Sequence, residues 1–354
     1  MKIIFVVHGL GEYAQAQAVA DLLQRKKENI FFLSKDKLIK DIAFNDNFSI
    51  IDEKDNINNI LNKTEADALF LCNSHTNISY DLNRPNKIKK IFSLDSNWLF
   101  NNKKFSSHDI HKYSTYPWID TIYALFPTSI FEINLKENGG YYEIEKYFRD
   151  RIYCPGFVPS GKSINFSEKQ ILRKKYNIAE EKKVISLYFG DRTFHSDNYN
   201  RMVSETMRTI SLILNDLKAT NNIDVIIKRL DSDVPDKRKN SVHFDEELSI
   251  SDLVIMHYGY GTLARIFHKK ISVICFIPPI KNEIHSNYFE LSPLIKKNAI
   301  KHFFFDKFEK TELKDTIISL LLNESAIKDM RRHQEDIFES GEENVVRHFY
   351  QQFK

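Results

Sequence analysis

One stretch of the sequence decides the fold: ISDLVIMHYGYGTLAR, residues 250–265. The apolar run Leu253–His257 has the length and composition of a buried strand in a parallel sheet. Gly259 and Gly261 then predict a tight turn, and a helix is expected to begin at about Thr262, whose hydroxyl could cap it. A strand, a glycine turn and a helix in this order are typical of a βα unit.

This turn has the chemistry of a phosphate site. The start of the helix leaves free backbone N–H groups at the carboxyl edge of the sheet, and the positive end of the helix dipole attracts anions there. Two glycines would let a ligand come close to the backbone. We therefore predict that His257, Gly259, Gly261 and Thr262 bind a phosphate-containing ligand. The alternative is that the glycines only make a tight turn.

The second half of the chain continues the same alternation of short strands and helices. Further strands are predicted at Val184–Phe189, Asp224–Leu230 and Ser272–Ile277. Gly190, Arg192, Lys228 and Arg229 lie at or after the ends of these strands and are additional candidates to hold the phosphate, while Glu283 and Asn287 belong to a loop that would lie beside the glycine turn at the same edge. Of these, the two adjacent cations Lys228 and Arg229 could balance the charge of a diphosphate, or they could be a solvated surface pair.

The first half repeats the alternation, with a helix predicted at Ala14–Leu23. Its predicted strands are Lys2–His8, Ile30–Leu33, Phe48–Ile51, Ala68–Cys72, Lys90–Leu94 and Thr121–Phe126. We therefore expect an α/β protein with two Rossmann-like domains and mostly parallel sheets.

Polar and aromatic residues also follow predicted strands of the first half, where they would lie at the carboxyl edge of the sheet. They are His8, Gly9, Gly11, Glu12 and Tyr13 after the first strand, and Asp95 and Trp98 after the fifth. An aromatic ring such as Trp98 could stack on a sugar, although such rings more often pack in a core or a loop.

The order of elements in the last third resembles the donor-binding half of the GT-B glycosyltransferases. In that superfamily an aspartate and an apolar strand precede GGxGT, a helix, a second strand, a proline loop and an acidic residue four positions before an asparagine. The matching residues here are Asp252, Gly259, Gly261, Thr262, Pro278, Glu283 and Asn287. The chain looks most like the branch that contains the lipid II-forming N-acetylglucosaminyltransferase and the nucleotide-sugar 2-epimerases.

This resemblance implies two facing domains and assigns a role to each. The second would bind a nucleotide-sugar donor through the residues named above. The first would bind a glycan or a lipid-linked acceptor near Gly9, Gly11, Tyr13 and Trp98. Closure of the domains would then exclude water. One position departs from the pattern, because many members carry an acidic residue that binds the nucleotide ribose where this chain has Arg265.

The resemblance also implies a base for the reaction. The loop after the first strand is similar to the glycine-x-Gly-Glu loop of Kdo-type transferases, in which the glutamate is the catalytic base. Transfer with inversion needs a group that takes the proton of the acceptor hydroxyl. The candidates are Glu12, His8 and Asp95, of which Glu12 is preferred.

A competing motif is the pair Asp231 and Asp233 in Leu230-Asp231-Ser232-Asp233. GT-A glycosyltransferases use this DxD spacing to hold a divalent metal on the donor diphosphate. Here the motif precedes the glycine turn instead of closing a first Rossmann half, and it continues into a polar stretch. We therefore expect a metal-independent reaction, with no cofactor beyond the nucleotide-sugar co-substrate.

Composition excludes several classes of protein. The chain has 354 residues, 51 basic and 48 acidic side chains and a net charge of +3, without the concentrated positive charge of a nucleic-acid binder. Its three cysteines are far apart, which argues against a disulfide framework or a structural zinc site. The apolar runs are too short for a signal peptide or a membrane span. We expect a cytoplasmic protein that could attach peripherally to the inner face of a membrane.

These observations predict four segments. Residues 1–160 form an acceptor domain, 161–183 a connection, 184–335 a donor domain, and 336–354 a C-terminal helix that could pack back on the first domain. The expected function is a glycosyltransferase, inverting and metal-independent, in the synthesis of cell-surface polysaccharide or glycoconjugate. Two alternatives stay open: a nucleotide-sugar epimerase or hydrolase on the same fold, and a non-catalytic protein that binds sugar nucleotides or glycans.

Overall fold

The computed structural model describes two compact units. The residues described are 1–51, 60–61, 63–72, 84–95, 116–138, 148–159, 166–189, 197–220, 225–229, 240–277 and 285–354. The first unit comprises Met1–Ser160 and Phe338–Lys354, and the second comprises Gly161–Ile337. The second unit thus includes residues 161–183, which the sequence analysis assigns to a connection, and the C-terminal segment belongs to the first unit.

Both units are built on parallel sheets. In chain order the strands are β1 (Lys2–Val6), β2 (Asn29–Leu33), β3 (Ser49–Ile50), β4 (Ala66–Cys72), β5 (Ile88–Asp95), β6 (Thr121–Ala124), β7 (Ile152–Tyr153), β8 (Lys183–Tyr188), β9 (Val225–Arg229), β10 (Leu253–His257), β11 (Ser272–Ile277) and β12 (Lys301–Phe304). The first sheet has the order β3-β2-β1-β4-β5-β6-β7 and the second the order β12-β11-β10-β8-β9. Every pairing between these strands is parallel, as the sequence predicts.

Helices connect these strands, as in βα units. They are α1 (Leu10–Arg25), α2 (Lys37–Asn45), α3 (Thr128–Asn138), α4 (Phe166–Lys175), α5 (Asp197–Thr220), α6 (Asn240–Ser249), α7 (Tyr260–His268), α8 (His285–Lys296), α9 (Lys310–Leu322), α10 (Glu324–Ile337) and α11 (Gly341–Gln351). Short 3-10 turns lie at Tyr116–Trp118 and Arg149–Arg151.

The core of the first unit contains a row of stacked phenylalanines. Phe32, Phe5, Phe70 and Phe92 lie side by side in register on β2, β1, β4 and β5. The centroids of neighbouring rings are 5.4, 4.6 and 5.0 Å apart. Phe349 of α11 covers this row, with its ring 5.6 Å from Phe70 and 5.3 Å from Phe92. The C-terminal helix is therefore part of the first unit's core.

The strand orders create one switch point in each sheet. In the first sheet the chain runs outward from β1 to β3 and then returns to pair β4 with the other side of β1. In the second sheet it runs from β8 to β9 and returns to pair β10 with the other side of β8. Ligands of open α/β sheets bind outside the carboxyl ends of the strands at such points. The carboxyl ends of β1 and β4, and of β8 and β10, are therefore the places to look for a site.

The C-terminal helix begins later than the sequence predicts. The prediction places it at residues 336–354, whereas α11 comprises Gly341–Gln351 and is separated from α10 by a break at residues 338–340. The break coincides with a close backbone contact, because a Cβ atom on Gly341 would lie 2.5 Å from the carbonyl oxygen of Gly156. Amphipathic periodicity alone does not reveal a contact between segments so distant in sequence.

Candidate functional site

The glycine turn of the second unit lies at the switch point of its sheet. His257 ends β10, and Gly259 is the residue that precedes α7, in an extended conformation. The helix begins at Tyr260, and the N–H of Leu263 donates to the carbonyl oxygen of Gly259 at 3.0 Å. Thr262 therefore lies in the first turn of α7 and is not its cap, which corrects the predicted start. Because Gly259 carries no side chain, it leaves the first N–H groups of the helix to a ligand.

Four turn glycines border open space. A Cβ atom added to Gly259 or Gly261 would meet no other atom within 4 Å, and the same holds for Gly9 and Gly11 in the first unit. None of the four has a positive φ angle. Within the described residues, neither backbone conformation nor packing requires glycine at these positions, so a ligand could come close to the backbone there.

Aromatic side chains line the edge beside the second glycine turn. Nδ1 of His257 lies 2.7 Å from the hydroxyl oxygen of Tyr199, within hydrogen-bond distance. The ring of Tyr188, at the end of β8, lies 6.1 Å from that of His257, and Phe244 of α6 packs edge-on at 5.2 Å from Tyr188. Such rings offer faces on which a planar or apolar ligand group can stack.

Arg265 lies between α7 and α6. Its guanidinium is 5.3 Å from the ring centre of Phe244, in a cation–π contact. Burial lowers its pKa, an effect that the negative charge of Asp245 opposes. Nζ of Lys269, directly after α7, donates to Oδ2 of Asp245 of α6 at 3.1 Å. The side of α7 that faces α6 therefore carries two cations beside one described carboxylate.

The structure describes the other predicted donor residues only in part. Lys228 and Arg229 end β9, the edge strand that β8 separates from β10, and their side chains are outside the described residues. Asn287 lies in α8, where only its backbone is described. Gly190, Arg192 and Glu283 lie outside the described residues.

A hydrogen bond to Glu12 stabilises the glycine turn of the first unit. Gly9 precedes α1, and Glu12 and Gly11 lie in the first turn of that helix. Oε2 of Glu12 accepts the backbone N–H of His8 at 2.6 Å. A carboxylate in this position favours the positive end of the helix dipole and fixes the path of the chain from β1 into α1.

The Nε2 atom of His8 is buried and has no hydrogen-bond partner among the residues that the structure describes. Burial, and to a lesser degree the positive charge of Lys35, lowers the pKa of His8. The imidazole is therefore neutral near pH 7, the form that can accept a proton.

Asp95 and Cys72 end the neighbouring strands β5 and β4. Asp95 is fully buried, and its Oδ2 accepts the hydroxyl of Ser93 at 3.1 Å. Burial raises the pKa of the Cys72 thiol, and the negative charges of Glu12 and Asp95 raise it further. The structure thus brings Glu12 and Asp95 to one region of the sheet edge, but only Glu12 is partly exposed.

Tyr13 packs in the core of the first unit. It is 3% exposed, its ring lies 5.1 Å from Phe32, and its hydroxyl donates to Oδ2 of Asp46 at 2.6 Å. Its hydroxyl is therefore engaged with the end of α2, and we do not include it among the acceptor residues proposed below. Trp98, the other aromatic residue predicted to bind the acceptor, lies outside the described residues.

The sequence patterns do not indicate three residues that lie at these edges: Lys35, Tyr188 and Tyr199. Lys35 follows β2 and Tyr188 ends β8, so a stricter search for polar residues at strand ends could have found both. Tyr199 lies in α5, and its contact with His257 joins residues 58 positions apart, which no local pattern indicates.

Within the described ranges, no three His, Cys, Asp or Glu side chains converge so that they could hold a metal ion. Asp231 and Asp233 lie outside these ranges. No helix among the same residues combines the length and apolar character needed to cross a bilayer.

Comparison with solved structures identifies the fold. No protein-family profile and no curated protein sequence matches the chain. Three similar structures are the spinosyn forosaminyltransferase SpnP (10% identity, TM-score 0.59, 99% of each chain), MurG of Acinetobacter baumannii (11%, 0.52, 99% of each chain) and the UDP-GlcNAc 2-epimerase of Neisseria meningitidis bound to UDP-GlcNAc (11%, 0.58, 100% of this chain and 99% of that one). Since these likenesses span the whole chain and both parallel sheets, the protein has the GT-B fold, as its glycine-turn motif predicts.

Proposed function

We propose that this protein is a glycosyltransferase that moves a sugar from a nucleotide-sugar donor to a glycan or lipid-linked acceptor. The observation that carries the proposal is the pair of open glycine turns. Each lies at the switch point of a parallel sheet, in a fold that known glycosyltransferases share. A binding module for one ligand needs one such edge, whereas transfer between two substrates needs two.

The second unit would bind the donor. The first N–H groups of α7 and the hydroxyl of Thr262 suit the oxygens of a diphosphate, which is the leaving group. If the hydroxyl of Tyr199 donates to Nδ1 of His257, then Nε2 carries a proton and can donate to the same group. Lys228, Arg229, Gly190, Arg192, Glu283 and Asn287 stay candidates for binding the donor. We propose a metal-independent reaction, in which protein groups balance the charge of the diphosphate.

The first unit would bind the acceptor near Gly9 and Gly11 and supply the base. We assign these tasks to Glu12 and His8. The carboxylate of Glu12 accepts the N–H of His8 and so holds the turn. His8 is neutral near pH 7, and its Nε2 has no hydrogen-bond partner among the described residues. We therefore propose that His8 takes the proton of the acceptor hydroxyl in an inverting transfer and that Glu12 positions the turn.

A panel of nucleotide-sugars, incubated with and without acceptors, tests the function. Transfer predicts release of free nucleotide that depends on an acceptor, with the product sugar inverted at its anomeric carbon. Activity that survives exhaustive chelation supports the metal-independent reaction, and its loss would exclude that part of the proposal. Binding without turnover on the whole panel would instead favour a non-catalytic protein.

Two variants separate the roles of His8 and Glu12. His8→Ala removes the base and should lower kcat at least about 100-fold, since general base catalysis contributes about 10²–10⁴. Glu12→Gln keeps an oxygen that can accept the N–H of His8 and should lower kcat much less. If Glu12→Gln proves as damaging as His8→Ala, and the pH profile loses its acidic limb, where the rate falls because the base is protonated, then Glu12 is the base.

An epimerase is the second candidate, because the UDP-GlcNAc 2-epimerase resembles this chain as well as the transferases do. An epimerase acts on the nucleotide-sugar without an acceptor. Incubation of the protein with UDP-GlcNAc alone, followed by analysis of the sugar at C2, decides between them. Formation of the 2-epimer without an acceptor favours the epimerase, and an unchanged sugar favours the transferase.

A lipid-linked acceptor would require the first unit to work at a membrane, and we propose that it does so at the inner face. Phe44 of α2 is 72% exposed, and the exposed Lys35 and Lys37 lie close to it in sequence. An aromatic ring beside basic residues is a common means of attachment to anionic lipid surfaces. Sedimentation with anionic vesicles should carry the protein down, and Phe44→Ser should reduce this fraction. Equal sedimentation of the wild type and Phe44→Ser would remove this support for attachment to a membrane.

A further inference from the structure

A second group of charges lies at the amino edge of the sheet in the second unit. Asp252 directly precedes β10, whereas His257 ends that strand at the opposite edge. Oδ2 of Asp252 accepts the N–H of Val184 at 2.8 Å, which ties β10 to the start of β8. This region is therefore separate from the proposed donor site.

Two cations of α4 contact this aspartate. Nζ of Lys169 lies 3.0 Å from Oδ1, and Nη1 of Arg173 lies 3.3 Å from Oδ2. Nζ of Lys169 also donates to the carbonyl oxygen of Ser251 at 2.8 Å. Both side chains are largely buried, so α4 is fixed to the amino edge of the sheet by charges removed from water.

Arg331 of α10 is a third cation beside Asp252. The charge of Asp252 acts on its guanidinium, while burial lowers its pKa. Its Nε atom is buried without an acceptor among the described residues, and the same is true of Nε of Arg173. Helix α10 is held at this edge by Gln334, whose amide donates to the carbonyl oxygen of Ile271 at 3.1 Å.

The charges of this group do not balance. Among the described residues, Lys169 and Arg173 contact one carboxylate and Arg331 interacts with its charge, which leaves two positive charges in partly buried surroundings. Buried charges and buried N–H donors without acceptors are costly. A doubly charged tetrahedral oxyanion would balance this charge, and its several oxygens could accept from more than one guanidinium.

We propose that Lys169, Arg173 and Arg331, here termed the amino-edge cluster, bind a phosphate group outside the substrate sites. The chain enters the second unit shortly before α4 and leaves it at the end of α10. A phosphate held by both helices would tie the segment on which the chain enters the unit to the segment on which it leaves. The cluster is thus suited to a phosphate that acts as an effector by holding α4 and α10 together.

Titration calorimetry of the full chain with inorganic phosphate, at constant ionic strength, tests the proposal. Arg331→Met removes the guanidinium and keeps an apolar stem of similar length. It should weaken phosphate binding at least about tenfold, or about 1.4 kcal/mol. The matched control is Arg332→Met, which changes the neighbouring, 64% exposed arginine and should bind like the wild type. Absence of saturable binding, or equal affinity in Arg331→Met, overturns the proposal.

Gly261→Val separates this cluster from the donor site. A valine there would fill the open space at the start of α7, so phosphate bound at the donor site would be lost. Phosphate bound at the amino-edge cluster should remain, and its loss in Gly261→Val would refute the assignment.

Circular dichroism of Arg331→Met shows whether the variant is folded, and if it is not, Lys169→Met is titrated in its place with the same expected loss. Parallel titration with glycerol phosphate identifies the source: equal binding indicates a phosphate ester, and weaker binding indicates the free anion.

Discussion

At the scale of single residues, glycines with different surroundings lead to opposite predictions. Gly261→Ala adds a methyl group that meets nothing within 4 Å and lies in a helix, where alanine is favoured by about 1 kcal/mol. Its free energy of unfolding should therefore stay the same or rise, as measured by urea denaturation. Nucleotide binding should nevertheless weaken about tenfold or more, because the methyl group occupies the space proposed for the ligand.

Gly341→Ala is the matched control for this prediction. Its methyl group would lie 2.5 Å from the carbonyl oxygen of Gly156, so the backbone has to shift. Overpacking of this kind costs about 1–3 kcal/mol of stability. Nucleotide affinity should be unchanged, because Gly341 belongs to the first unit. Unchanged nucleotide binding in Gly261→Ala would remove the argument that this glycine makes room for a ligand.

Tyr199→Phe tests the contact that orients His257. The variant loses one hydrogen bond of a nearly buried hydroxyl, which should cost about 1 kcal/mol of stability. Nucleotide binding should also weaken, because Nδ1 of His257 no longer has its partner. Tyr13→Phe loses a comparable bond to Asp46 in the first unit, so it should lose stability and keep nucleotide affinity. Equal affinity in both variants would contradict the proposed role of His257.

The sequence predicts these residues unevenly. The glycine turn at residues 259–261 could be predicted because its meaning is local: a strand, a turn and a helix follow one another. The sequence alone could not decide whether Tyr13 binds a ligand or packs in the core. Its place in the sequence suits a binding loop, but its hydroxyl reaches Asp46, 33 positions away, and its ring joins the core. Side chains in the same helical turn can face opposite directions, and only packing decides which residue faces the ligand.

At the scale of elements, α11 makes the stability of the first unit sensitive to pH. The ring of His348 stacks 4.2 Å from Tyr153, and its Nδ1 lies 3.2 Å from the hydroxyl of Tyr123. Burial lowers the pKa of His348 below its usual value of about 6.5. Below that pH the unfolded chain binds a proton that the folded chain does not. The free energy of unfolding should therefore fall as the pH is lowered from about 7.5 to 5.5.

His348→Gln should reduce this dependence without removing it. Burial also lowers the pKa values of His8, His268 and His302, so these residues act in the same direction. One histidine accounts for at most about 1.4 kcal/mol per pH unit. Urea denaturation of the variant and the wild type across this pH range gives the difference in slope. Identical slopes would show that His348 is protonated equally well in both states.

Elements with strong periodicity are predicted well, and short ones are not. The strands Leu253–His257 and Ser272–Ile277 match their predicted bounds, because long apolar runs in parallel sheets are unambiguous. Helix α2 is missed: it has only nine residues, of which Ile39 and Ala43 are buried, and the side chain of Asp36 caps it by accepting the N–H of Leu38. Capping by a single side chain is a weak signal in a polar stretch.

At the scale of the whole molecule, the two units differ in how the chain builds them. The second unit is one continuous segment, Gly161–Ile337, whereas the first needs two segments that are distant in sequence. This division of the first unit follows from the stacking of α11 on Phe70 and Phe92. The sequence predicts the fold motif and a C-terminal helix that packs on the first domain, but no local pattern indicates which residues that helix contacts.

This difference predicts the behaviour of fragments. Residues 161–337 should fold alone, with a cooperative urea transition, and should bind nucleotide within about threefold of the intact chain, or about 0.7 kcal/mol. Residues 1–160 should not fold, because they lack Phe349, and the loss of one buried phenylalanine costs about 3–5 kcal/mol out of a typical 5–15. Addition of a peptide of residues 338–354 should restore part of the helical signal in circular dichroism. If the fragment 161–337 folds but loses nucleotide binding, the donor site requires residues of the first unit, and its assignment to α7 and its neighbours is incomplete.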